Sequence, residues 1–123
     1  MDGLILYIMF AHWLADFVCQ TSWMANNKSK NVFALFSHAA VYTGVLLYML
    51  LMLAVHIDQQ ECIECILKFG LLNGFAHFCI DGVTAPINKY LWSKNWTHKF
   101  FCMIGFDQFI HFVFLYVTMK MYL

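Results

Sequence analysis

Four apolar stretches, at residues 3–20, 32–55, 62–81 and 100–122, take up most of the chain. Each lies near the ~20 residues that carry an α-helix across the hydrocarbon core of a bilayer, the first being the shortest. Strict apolar/polar alternation is absent, and four strands could not close a barrel in lipid, so strands are excluded. The expected architecture is an all-α polytopic bundle of about four transmembrane helices in a single domain, residues 1–123. Composition agrees. The chain is 63% hydrophobic and 11% charged, against roughly 45–50% and about 25% in a soluble domain. So few charges cannot cover a water-facing surface, and the lipid bilayer is the expected surroundings.

The connections carry the breakers and the charges. Residues 21–31 (TSWMANNKSKN) are polar, residues 56–61 (HIDQQE) form an acidic turn, and residues 82–99 hold Gly82, the only proline (Pro86), Trp92 and Trp96. Tryptophans in such a place suit an interfacial belt. Lys28 and Lys30 fall in the first connection, and Lys89, Lys94 and Lys99 in the third. By the positive-inside rule these face the cytoplasm and both termini lie outside. The first segment has no basic n-region, and His12 and Asp16 interrupt its apolar run. It reads as a retained helix that doubles as the insertion signal. The net charge is zero, and all seven basic residues are Lys. Nucleic-acid binding needs a basic face and is not expected. Cys62 and Cys65 form a CxxC that could be a redox pair or half a zinc site. With no second pair, packing as small hydrophobes is the simpler account.

The chemistry lies in the polar residues inside the apolar runs. His12 with Asp16, His77 with Asp81, and Asp107 with His111 stand four apart, and helix two adds His38. Residues at i and i+4 share a helix face with Cβ atoms about 5–6 Å apart, so each pair can grip an ion or one another. Each ionisable group at the bilayer centre costs roughly 2.5–3.5 kcal/mol on insertion scales, so such groups face the bundle interior and have a job. Because helices alternate in direction, all seven fall toward the same side of the membrane, the cytoplasmic side if the lysines are read correctly. Four imidazoles and three carboxylates suit one or two zinc, manganese or iron ions. A two-metal site with ions roughly 3.5–4 Å apart activates water and clamps a phosphate or acyl oxygen. Gln20 and Gln108 stand beside the cluster to orient ligands or substrate. A structural polar network or a proton or solute path could use the same residues.

The run HWLADFVCQTSWMANNKSK (residues 12–30), the isolated His38, HFCID (77–81) and DQFIH (107–111) resemble a small bacterial and phage membrane-protein family, catalogued as domain of unknown function 3307. The resemblance spans nearly the whole chain. It implies that His12, Asp16, Gln20, Trp23, Lys28, His38, His77, Asp81, Asp107, Gln108 and His111 are the positions that matter. The family pattern often sets a lysine soon after the third-helix aspartate, whereas here Gly82 and Pro86 precede Lys89, so no role carries over to that lysine. The pattern is also distantly similar to bacterial membrane-bound metal-dependent hydrolases with intramembrane His and Asp ligands.

Together these features lead us to expect a metal-dependent hydrolase acting on a lipid-linked or amphiphilic substrate. His12, Asp16, His38, His77 and His111 would hold metal with Asp81 and Asp107, either of which would serve as general base. Lys28 and Lys30 could hold an anionic headgroup. The alternative is a non-enzymatic factor, either a phage-type modifier of the host envelope or a small transporter or proton path, which at this size would need a homo-oligomer.

Overall fold

The computed structural model describes residues 2–56 and 63–123; the CxxC residue Cys62 and most of the acidic turn lie outside them. The helices are α1 (Asp2–Trp13), continued by a π turn over Leu14–Val18, then α2 (Ser22–Asn27), α3 (Val32–His56), α4 (Ile63–Ser93) and α5 (Thr97–Tyr122). Among the described residues, α3, α4 and α5 are long and apolar enough to cross a membrane, and Gly3–Val18 forms a shorter apolar helix. The long helices pack in a ring: α4 lies between α3 and α5, and α1 closes the circle against both of them.

The bundle is inverted relative to a water-soluble one. Phe33, Phe75 and Val55 on the outside are 68%, 68% and 75% exposed, while His12, His38 and His77 are buried. Lipid satisfies the outer residues, and the inner ones must satisfy each other.

Two boundaries differ from the sequence expectation. Helix three does not end near Gly82 but runs on to Ser93, with Pro86 in its interior. Proline removes one backbone N–H and crowds the carbonyl four residues earlier. That residue is Gly82, where even an added Cβ would meet only Leu35 at 3.4 Å. Transmembrane helices tolerate such a proline. The stop comes instead at Asn95, which adopts φ 58°. Trp96 N–H bonds the Leu91 carbonyl at 3.1 Å and Asn95 N–H that of Trp92 at 3.0 Å. This is the Schellman arrangement, with asparagine in the left-handed position usually held by glycine.

The second difference lies in the polar connection 21–31, where α2 forms. Thr21 caps it, accepting from Met24 N–H at 3.2 Å. Asn31 then opens α3, accepting from Phe33 N–H at 2.9 Å. Between these caps the chain folds back, and Lys28 comes to lie against the bundle.

The α3–α4 contact sets the depth of the cluster. Gly70 and Gly74 stand four apart on α4, and a Cβ at Gly74 would lie 1.9 Å from Thr43 Oγ1, one at Gly70 2.3 Å from Leu47 Cδ2. Small residues at this spacing let membrane helices approach closely. His77 follows Gly74 by one turn and is brought against His38.

Candidate metal centre

His77, Asp81, Asp107 and His111 project inward from α4 and α5 at successive turns, His38 from α3, and Asp16 from the π turn. The π turn closes with Cys19 N–H on the Leu14 carbonyl at 2.9 Å. Such turns recur at functional sites, because the extra residue redirects a side chain. Here Asp16 turns from its i−4 neighbour, whose Nε2 lies 3.8 Å from Asp16 Oδ2, toward His38 Nε2, at 3.1 Å from its Oδ1.

Four side chains then meet. His38 Nε2 and His77 Nε2 are 2.9 Å apart. His77 Nε2 lies 3.4 Å from Asp16 Oδ1 and 3.7 Å from Asp81 Oδ2. His38 Nε2 lies 3.3 Å from the same Asp81 oxygen. A tetrahedral ion with bonds of ~2.0–2.1 Å sets its ligand atoms about 3.3–3.4 Å apart, and these separations bracket that value. The ligand atoms of Asp16, His38, His77 and Asp81 all lie within 4.8 Å of one another, and so do those of Asp81, Asp107 and His111. Asp81 belongs to both groups. Its Oδ1 is 3.3 Å from His111 Nε2, which is in turn 3.7 Å from Asp107 Oδ1.

His12 stands beside these groups and not within either. Its Nε2 is 2.9 Å from Gln108 Oε1 and its Nδ1 2.9 Å from the Tyr42 hydroxyl. Gln108 Nε2 donates to Asp16 Oδ2 at 3.0 Å and to Asp107 Oδ2 at 3.2 Å. An amide nitrogen between two carboxylates leaves its oxygen to accept, so the network assigns the His12 proton to Nε2 and makes Nδ1 the acceptor of the tyrosine proton. Gln108 thus fixes three members of the site at once.

Lys28, the C-cap of α2, closes the cluster, with Nζ 2.6 Å from Asp81 Oδ2. Trp23 is not brought to it and lies outside against Phe33 at 6.1 Å between ring centroids; Gln20 Oε1 is buried without a hydrogen-bond partner.

Two contributors escaped the sequence reading. Tyr42, besides its bond to His12, stacks on His77 with centroids 3.9 Å apart and planes 3° from parallel. Thr84 donates to Asp107 Oδ1 at 2.6 Å. Both follow a recognised member by a helical turn, Tyr42 after His38 and Thr84 after Asp81. Extending each inward stripe by one turn would have found them.

The Nδ1 atoms of His38 and His77 are buried without a hydrogen-bond partner, so the polar contacts of both rings converge through Nε2. Two imidazole nitrogens 2.9 Å apart, each facing carboxylate oxygens, fit the donor set of a divalent transition ion. With neutral imidazoles, the carboxylates of Asp16, Asp81 and Asp107 against the Lys28 ammonium leave a formal charge of −2, which one such ion balances.

No curated protein and no solved structure matches the chain. Residues 4–123 match the family described as "Protein of unknown function (DUF3307)", and the chain belongs to that family.

Proposed function

We propose that this protein is a membrane-embedded metal-dependent hydrolase, acting on a lipid-linked or amphiphilic substrate near the cytoplasmic surface of a bacterial inner membrane. The observation that carries the reading is the convergence of the His38 and His77 Nε2 atoms with Asp16 and Asp81 oxygens at tetrahedral spacing. In this reading Asp16, His38, His77 and Asp81 hold one zinc, manganese or iron ion. The second oxygen of Asp81 faces His111, beside Asp107. An ion held there would supply a water acidic enough, with a pKa near ~7, to act as a nucleophile at neutral pH. Asp81, gripped from both sides, serves as a ligand. Asp107, held by Thr84 and Gln108, is the better placed of the two aspartates to accept the water's proton. His12, oriented by Tyr42 and Gln108, steadies the site from behind.

Two observations favour a second reading. The Lys28–Asp81 ion pair and the 2.9 Å approach of two imidazoles would also suit a proton-conducting polar network with no metal, in which protonated histidines supply the missing positive charge.

Elemental analysis of protein purified without chelators separates the two. The metal reading expects at least one divalent transition ion per chain, sharply reduced in His77→Ala. Folded wild-type protein that carries no metal, and takes up none when zinc, manganese or iron is offered, would leave the proton network as the better account.

A further inference from the structure

A cavity of about 450 Å³ opens beside the cluster, lined by residues of α2 and the turn after it, of α4 and of α5. Lys28, Ser29, Asn26, Asn88 and Lys89 give it a polar wall, and Trp92, Phe100 and Phe101 an aromatic rim; no Asp or Glu lines it. Lys28, already paired with Asp81, and Lys89, with several neutral hydrogen-bonding side chains and no carboxylate in the lining, suit a compact anion. Lysine binds phosphate as a point charge. Aromatic rings beside it mark the level where headgroup passes into acyl chain. Lys28 belongs to both sites: it lines this cavity and its Nζ rests 2.6 Å from Asp81 Oδ2. Whatever anion binds Lys28 from the cavity side is therefore held one hydrogen bond away from the carboxylate that both metal-ligand groups share.

We infer that this cavity is a headgroup subsite for a phosphate-bearing membrane amphiphile, which lies across Lys28 and Lys89 with its chains along the aromatic rim. The inference rests on the hydrolase reading where it makes that amphiphile the substrate, and stands on the cavity alone where it assigns binding. Lys89, for which the family likeness offered no role, becomes the second basic contact, in place of the Lys30 expected from sequence.

The test uses the full chain in phosphatidylcholine nanodiscs doped with dioleoylphosphatidate, with bound phosphatidate read by native mass spectrometry and metal content measured on the same samples. Lys89→Gln is expected to weaken phosphatidate retention about fivefold, the equivalent of about 1 kcal/mol for one lysine at a charged interface, and to leave metal content unchanged. Lys28→Gln should weaken retention at least as much. Lys99→Gln removes the same charge from α5, where the ammonium lies over the Trp96 ring at 4.4 Å, and should leave retention unchanged. Equal losses from Lys99→Gln and Lys89→Gln would reduce the effect to general surface charge and overturn the subsite. Inorganic phosphate competing as well as phosphatidate would overturn the membrane amphiphile as its occupant, and so would Lys89→Gln protein that retains phosphatidate like the wild type. Metal-free wild-type protein showing the Lys89 dependence would uphold the subsite while removing the hydrolase reading.

Discussion

Adding one methyl group at Gly74, which is no part of the cluster, should loosen the proposed metal centre. A Cβ built there lies 1.9 Å from Thr43 Oγ1, 3.0 Å from Thr43 Cβ and 3.1 Å from its Cγ2. Thr43 cannot turn aside without loss, because its hydroxyl donates to the Ala39 carbonyl at 2.7 Å. Relief must come from parting α3 and α4 by more than 1 Å, or from rotating Thr43 and giving up that bond. Overpacking of this kind costs about 1–3 kcal/mol. His38 rides on α3 and His77 on α4, with their Nε2 atoms 2.9 Å apart, whereas metal–ligand distances tolerate about ±0.2 Å. Gly74→Ala should therefore weaken metal affinity by about 10–100-fold, the usual range for losing an orienting group, although every ligand remains. Competition against a chromophoric chelator measures this in detergent-purified protein, with helicity followed by circular dichroism. The double variant Gly74→Ala/Thr43→Ala should recover much of the loss, since only the 3.0 Å contact with Cβ remains. Gly74→Ala protein that binds metal within twofold of wild type would refute the claim that this helix contact sets the ligand spacing.

Two further outcomes are expected. Asp107→Asn should leave the protein inserted and still partly metal-loaded while lowering turnover, or its cellular effect, by about 10²–10⁴-fold, because an amide cannot take the water's proton; Asp81→Asn should lose metal as well. Full effect in both variants would remove the hydrolytic role. A reporter fused after Leu123 should signal from outside the cytoplasm, as the lysines predict, and a cytoplasmic signal would invert the proposed orientation.

Much of the architecture was legible because lipid imposes a simple rule. The apolar run 32–55 became Val32–His56 almost unchanged, since hydropathy alone decides where such a helix lies. The His/Asp pairs converged for the same reason: charged groups that cannot face lipid must meet inside. The failures came where backbone chemistry overrode pattern. Gly82 and Pro86 look like a stop, yet lipid and the glycine partner let α4 pass through them, and Asn95 ended it. The i,i+4 rule placed His12 and Asp16 together, but the π turn at Leu14–Val18 turned Asp16 toward His38 and left His12 to Tyr42 and Gln108. No periodicity argument anticipates a π turn. Tyr42 and Thr84 went unnoticed because tyrosine and threonine are ordinary in apolar helices. Trp23, to which the family likeness pointed, lies outside the cluster against Phe33.

The π turn also has a bearing on the membrane itself. The apolar helix it belongs to, Gly3–Val18, has 16 residues, about 24 Å at ~1.5 Å per residue. Next to it stand helices of 25 and 26 residues, and across the ring one of 31. A bilayer core of about 30 Å cannot match the short wall and the long ones together. Thinning of the bilayer beside the short helix, and tilting of the longest one, would relieve that mismatch. Asp16 lies near the end of that short wall, so a thinned patch there would lower the headgroup level toward the depth of the cluster. A lipid on that flank would then need little lifting from its leaflet to bring its polar end level with the buried carboxylates.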